Sequence, residues 1–221
     1  RRRREKPSNS DVKPRFLSFG GNLKILQKKD CEIIHNAVLD ILSNIGISHV
    51  SNKTREVAVQ NGVEFSDGRL YFPKALIDDS ISGICKSVVL NGQKSENDLP
   101  ISGNEVYFGT GGATPMILDH KTNKFRKTTL KDLYDNARLI EQLENVDFFS
   151  RTVIARNLKK QRDLDLNTAF ACLRGTTKHI MTSISQAEDI KCLKEMLDDI
   201  CSLSSMNKEK KLISLNTNHI V

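Results

Sequence analysis

The residues best suited to chemistry are concentrated in one short run, Gly109-Thr110-Gly111-Gly112, and in polar pairs that recur after it. Adjacent glycines let a ligand approach bare backbone and let successive N–H groups turn toward negative charge. The run lacks the third glycine of a dinucleotide fingerprint, Pro115 stands just past that place, and no helical pattern opens directly from it. A dinucleotide site is therefore not expected. A tight turn with no ligand is the plain reading of the same residues. The polar pairs are Ser150 with Arg151, Thr182 with Ser183, and Asn216 with Asn218 or His219, each where an apolar run ends. Brought to one rim, they would form a polar floor beside the glycines; taken singly, each is an ordinary loop residue.

Other chemistry is sparse. The five histidines, His35, His49, His120, His179 and His219, share no metal-ligand spacing, and no cysteine stands close enough to complete one, so no metal site is expected. Cys31, Cys85, Cys172, Cys192 and Cys201 form no C-x-x-C pair, and most sit beside Leu and Ile, as small buried apolar residues do. Neither G-x-S-x-G nor a phosphate-binding P-loop occurs. No residue declares itself catalytic. Tyr107, Phe108, Phe148 and Phe149 offer aromatic faces to a cation, although aromatic residues on strands more often fill a core.

These residues must be positioned by the elements around them. Residues 1–29 read as a basic extended arm broken by Pro7, Pro14 and Gly20-Gly21. Asp30 is expected to cap a helix that buries Ile33, Ile34, Val38, Ile41, Leu42 and Ile45 and ends at Gly46. A second helix follows Ser51, a hairpin turns at Ser66-Asp67-Gly68, and a third helix covers Lys74–Cys85. With the strand Val88-Val89-Leu90 and the polar stretch Asn91–Gly103, read as a linker, residues 30–103 make a mixed, mainly helical region. Beyond it, residues 104–221 alternate. Strands begin near 105, 146, 179 and 212, with helices between them starting at Thr128 or Thr129, near Asp163 and near Gln186. Met116-Ile117-Leu118 reads as a further short strand. Steps of 41, 33 and 33 residues suit strand–helix–strand units with a parallel sheet. An eight-unit barrel averages roughly 31 residues per unit. The pattern therefore predicts an α/β fold, the first four strands of a (β/α)8 TIM barrel, with a doubly wound sheet as the alternative.

Composition narrows the classes further. The chain has 221 residues and a net charge of +7. Residues 1–15 carry seven basic side chains against Glu5 and Asp11, which leaves the remainder near neutral and argues against nucleic-acid binding. Aromatic residues are 5% with no Trp, too few for a base-stacking surface. No apolar run is long enough for a membrane span, and the free-looking cysteines suit a cytoplasmic setting. An Arg at position 1 and an apolar run reaching Val221 suggest an excerpt of a longer chain.

The segments GNEVYFGTGGATPMILD at Gly103–Asp119, TLKDLYDNARLIEQLENVDFFSRTV at Thr129–Val153 and DLDLNTAFACLRGTTKHIMTS at Asp163–Ser183 closely resemble the trimethylamine methyltransferase (MttB) family. IIHNAVLDILSNIGI at Ile33–Ile47 is similar to that family's opening, so the likeness runs in order along nearly the whole chain. It implies the amino-terminal half of a TIM-barrel methyltransferase, with a methylated tertiary or quaternary amine such as trimethylamine or glycine betaine as donor. The acceptor it implies is the cobalt of a corrinoid carried by a separate protein. It also implies a neutral amine leaving group, so that a quaternary donor needs no strong general acid. On this resemblance Gly109, Thr110, Gly111, Gly112, Ser150, Arg151, Thr182, Ser183, Asn216 and Asn218 face substrate or corrinoid. The fragment alone is expected to be inactive and poorly folded. Pyrrolysine, found in the second half of members that use trimethylamine, falls outside this sequence, and the oligomeric state stays open, a homo-oligomer included. The rival readings are another TIM-barrel enzyme acting on a small molecule and a non-catalytic interaction module.

Overall fold

The structure, a computed structural model, describes residues 18–21, 23–204, 206–207 and 209–216. Most of the expected basic arm lies outside the described residues, as do Asn218, His219 and the end of the final expected strand. The chain divides into two compact units, one spanning Gly20–Lys86 and the other containing Ser87 onward together with the short strand β1 (Ser18–Phe19). Six α-helices and several small sheets are present among the described residues, without a closed barrel. No helix among them is long and apolar enough to cross a membrane.

In the Gly20–Lys86 unit, α1 (Lys28–Asp40) starts one turn earlier than its apolar spacing suggests. Gln27 is the N-cap, and its N–H donates to Asp30 Oδ2 at 2.9 Å; Asp30 therefore closes the first turn instead of capping it. The helix passes into a π-helical turn, Ile41–Ile45, and stops at Gly46. The expected core stripe is largely uncovered, with Ile33, Ile34, Val38, Ile41 and Ile45 exposed and Leu39 buried. Strand β2 (Ile47–Ser48), helix α2 (Asn52–Gln60), hairpin strands β3 (Glu64–Ser66) and β4 (Arg69–Tyr71), and helix α3 (Lys74–Ser82) follow. Ser51 caps α2 by accepting from the Thr54 N–H at 3.1 Å. Asp67 and Gly68 both take positive φ, 49° and 75°, as a tight hairpin turn requires. The sheet order is β2-β4-β3, all antiparallel. Helix α1 meets α3 through His35 to Asp78 at 3.0 Å and through Lys74 to Asp40.

The second unit opens with β5 (Val88–Leu90), paired antiparallel to β6 (Leu99–Ile101). The stretch read as a linker thus contains a strand, and Gly92, Gln93 and Asp98 bond it into this unit. Strand β7 (Glu105–Val106) pairs antiparallel with β1, so the first half of the strand expected at 105–108 does not join the parallel sheet. Next comes a hairpin of β8 (Met116–Asp119) and β9 (Lys124–Lys127). Its second arm, KFRK, is exposed throughout and carries no alternation that would mark a strand. Helix α4 (Leu130–Glu141), strand β10 (Phe148–Ser150), helix α5 (Gln161–Gly175), strand β11 (His179–Thr182), helix α6 (Asp189–Leu203) and strand β12 (Ile213–Leu215) complete the alternation.

Strands β10, β11 and β12 are parallel neighbours in chain order. Two isolated parallel bridges, Gly109 to Phe148 and Thr114 to Val153, add the glycine segment on the outer side of β10. Sequential order of this kind is common to an arc of a barrel and to one half of a doubly wound sheet. The core lies between the sheet and its helices. Phe149, Val153 and Ile180 pack there with Leu133 and Ala137 of α4, Cys172 of α5 and Cys201 of α6. On α6, Leu193 is buried and Ile190 exposed.

Candidate functional site

Period-two alternation assigns each strand residue to one of two faces. Phe149 and Ile180 sit in the core, so their side chains face the helices, and Phe148, Ser150, His179 and Met181 face the other way. Gly109 pairs with Phe148 and shares that second face. A Cβ at Gly109 would stand 2.1 Å from Phe148 Cε2, so the aromatic ring lies directly on bare glycine backbone. Packing accounts for this glycine. Gly112 has φ +77°, a conformation that side chains disfavour, and nothing lies within 4 Å of a Cβ built there. Gly111 has neither constraint: its φ is unexceptional and the space above it is open. Between the two bridges, residues 110–113 run opposite 149–152. The Thr110 hydroxyl donates to the Ser150 carbonyl at 2.6 Å, and the Thr114 N–H donates to the Thr152 carbonyl at 3.0 Å.

Thr110 and five of the expected floor residues come to the carboxyl edge of this sheet. Thr110 is bonded to Ser150, the Arg151 N–H donates to the Met181 carbonyl at 3.0 Å, and the Asn216 N–H donates to the Thr182 carbonyl at 2.8 Å. Ser183 follows Thr182 and is half-buried. The backbone gathers them, yet alternation divides their side chains. Ser150 faces away from the helices, whereas buried Thr182 shares the helix face with Ile180, its hydroxyl unpaired. Arg151 also acts on the helix side, where its charge favours the thiolate of Cys172 against burial that pushes that thiol up to about 12. The expected single floor is thus split between two faces. Asn218 lies outside the described residues.

One residue missed in the sequence is Asp165. Buried in α5, its carboxylate accepts from the Ser185 N–H at 2.7 Å and from Gln161 Nε2 at 2.9 Å, and so fixes the turn after β11. An Asp inside an apolar helix was the available signal. The cysteines divide as well, Cys172 and Cys201 buried but Cys31 and Cys85 exposed. No group of three or more His, Cys, Asp or Glu side chains placed to hold a metal occurs among the described residues.

The amino edge of the sheet is closed by structural contacts. Buried His179 donates from Nδ1 to the Asn91 carbonyl at 2.9 Å, and its Nε2 lies 2.8 Å from Ser214 Oγ. Burial lowers its pKa against the opposing effect of backbone bonds with Asn91 and Lys211. Lys178 donates from Nζ to the carbonyls of Ile140, Leu143 and Val146, closing the end of α4. Gln93 bonds Leu173, Thr176 and Thr177, and Lys210 reaches Gly92 and Asp98. Burial raises the Glu141 pKa, but bonds from the Thr176 and Thr177 hydroxyls and the Thr177 N–H outweigh it, and the net shift is downward.

Comparison with known proteins gives one consistent result. The family model described as trimethylamine methyltransferase (MTTB) matches residues 1–219. The trimethylamine methyltransferase MttB of Desulfitobacterium hafniense is 24% identical over 185 residues, 83% of this chain and 37% of that protein. The MttB of Methanosarcina barkeri is 26% identical over 165 residues, 72% of this chain and 33% of its own. A glycine betaine methyltransferase of Desulfitobacterium hafniense is 26% identical over 129 residues, 58% of this chain and 27% of its own. The chain spans about a third of the length of these curated relatives.

Proposed function

The chain belongs to the trimethylamine methyltransferase family, and on that premise we propose that it forms part of an enzyme that passes a methyl group from a methylated amine to the corrinoid cobalt of a partner protein. In this reading the consecutive parallel strands are the first arc of a TIM barrel, and their carboxyl edge is the active face. The supporting observation is the backbone of Gly111 and Gly112, at that edge with nothing within 4 Å of an added Cβ. Open glycine backbone of this kind admits a bulky macrocycle.

The corrinoid, carried by its own protein, supplies a reduced cobalt nucleophile that takes the methyl carbon while the C–N electron pair stays with the departing amine. From a quaternary donor the amine leaves neutral and no proton has to move, whereas trimethylamine has to react as its ammonium ion, whose N–H proton stays on the departing dimethylamine. The chain's own contribution is alignment of the N–CH3 bond and reception of the positive charge. Phe148, on the face away from the helices and seated on Gly109, is the aromatic surface best placed to meet that charge. Thr110 and Asp165 hold the loops beside it. Trimethylamine and glycine betaine, named for the relatives, are both candidate donors, and a cytoplasmic location suits the free thiols.

The test uses the intact enzyme with a purified corrinoid protein in its reduced state, each amine offered separately, and the visible spectrum followed. Amine-dependent loss of the reduced-cobalt absorption is expected, together with loss of that transfer in Gly111→Val with the fold kept by circular dichroism. The 221-residue chain alone is expected to be inactive. No spectral change with any tertiary or quaternary amine overturns the assignment, and an unimpaired Gly111→Val removes the loop from the site.

A further inference from the structure

The Gly20–Lys86 unit holds two adjoining hollows, apart from the residues proposed for methyl transfer. An open basin of about 420 Å3 is lined by Ser48, His49, Arg55, Phe65, Asp67 and Arg69 among others. A second, of about 470 Å3, is bounded by Arg55, Glu56, Val59, Gln60 and Phe65. Arg55 and Phe65 border both, the guanidinium carbon lying over the ring at 5.1 Å from its centroid. A guanidinium held over a ring by cation–π attraction still offers its N–H groups to an anion. Arg69 is fixed differently, with Nε and Nη2 donating to the carbonyls of Ile45 at 2.5 Å and Gly46 at 3.1 Å. Neither guanidinium forms an ion pair with a carboxylate among the described residues. His49 borders the same basin at φ 58°, an uncommon conformation for a non-glycine residue, with Nδ1 on Ser48 Oγ at 3.0 Å. Asp67 is the one acid in that lining, and Glu56 stands in the neighbouring hollow.

We infer that these hollows bind an organic carboxylate, its head meeting Arg55, Arg69 and His49 and its apolar body lying over Phe65 and Val59. Two permanently charged guanidiniums against one carboxylate favour an anion in the first basin. Phe65 and Val59, 38% and 49% exposed, give the second hollow an apolar floor. Arg55 is already held over the Phe65 ring and Arg69 by backbone bonds, so little side-chain freedom is lost when a planar head group docks.

The test is calorimetric titration of the protein at low ionic strength with acetate, hexanoate and inorganic phosphate. Hexanoate is expected to bind about tenfold more tightly than acetate, because its extra methylenes reach the apolar floor. Arg55→Gln, at a half-buried helix position that leaves the fold intact, is expected to weaken hexanoate about tenfold. Asp67→Asn is expected to tighten binding, since it removes the opposing charge and asparagine accepts the positive φ. Absence of saturable heat with all three anions overturns the inference, as does binding that both substitutions leave unchanged. Phosphate binding more tightly than hexanoate overturns the carboxylate assignment. Each readout is independent of methyl transfer, so failure here and failure of the proposed reaction are separate results.

Discussion

Gly109 and Gly111 stand two positions apart and answer to different forces. Gly109 is required because the Phe148 ring occupies the place of its side chain, 2.1 Å from an ideal Cβ. Gly111 meets nothing. Gly109→Ala is therefore expected to cost about 1–3 kcal/mol, as overpacking does, and Gly111→Ala to stay within about 0.5 kcal/mol, as unconstrained surface sites do. Urea unfolding midpoints separate the two, and equal midpoints would show that the ring can move aside. From the sequence the glycines looked alike, because what distinguishes them is a phenylalanine 39 positions later, brought alongside by a parallel bridge. Thr182 makes the same point. Its place at the end of an apolar run was legible, but which face it takes depends on register with β10 and β12, and no local pattern carries that.

At the scale of elements, the β8–β9 hairpin is fastened to the start of α4 by one side chain. Arg126 donates to Asp119 at 2.9 Å and, through both terminal nitrogens, to Asp132 at 2.7 Å, while Thr129 and Asp132 cap the helix reciprocally. The Arg126 bonds hold both carboxyl groups well below the usual carboxylate range. Arg126→Met is expected to speed amide exchange in Lys124–Lys127 by about tenfold, a local opening, while β10 and β11 keep their protection. Unchanged exchange in the hairpin would show that backbone pairing alone suffices. The helices were legible because apolar spacing and caps agree, as at Thr129 followed by Asp132. The hairpin's second arm was not, because both its faces meet solvent. The uncovered stripe on α1 marks the limit of periodicity, which shows that a helix is amphipathic without saying what covers it.

For the whole molecule, the spacing of the last three strand starts matched the parallel order of the sheet while the first, near 105, went to an antiparallel pair, and the contacts that close the amino edge come from Asn91–Asp98, a polar stretch that reads as a linker. Its bonds run to residues far along the chain, and composition does not encode distance. Those contacts also set a pH dependence. Buried His179 binds a proton less readily in the folded state than at its ordinary value of 6.5. Its contribution to stability is complete above pH 6.5 and is lost as pH falls from there through the lower folded value. Asp119, Asp132 and Glu141, also lowered, contribute above their ordinary values of 3.8, 3.8 and 4.5 and lose that contribution in stronger acid. Thermal melts between pH 7 and 5 should show a falling midpoint that His179→Gln flattens; an identical slope in the variant would assign the loss elsewhere.

Lys211 donates to the Asn91 side chain across 120 positions, and Lys210 reaches Gly92 and Asp98 across 118 and 112. A ribosome adding about 5–20 residues per second leaves this strap waiting roughly 6–24 seconds for its last partners. Because it is built from amides, hydroxyls and charges, water can hold every one of its bonding groups during that interval. An aliphatic strap in the same place would spend those seconds as a sticky surface, so the polarity of Asn91–Asp98 lets a long-delayed closure proceed without aggregation.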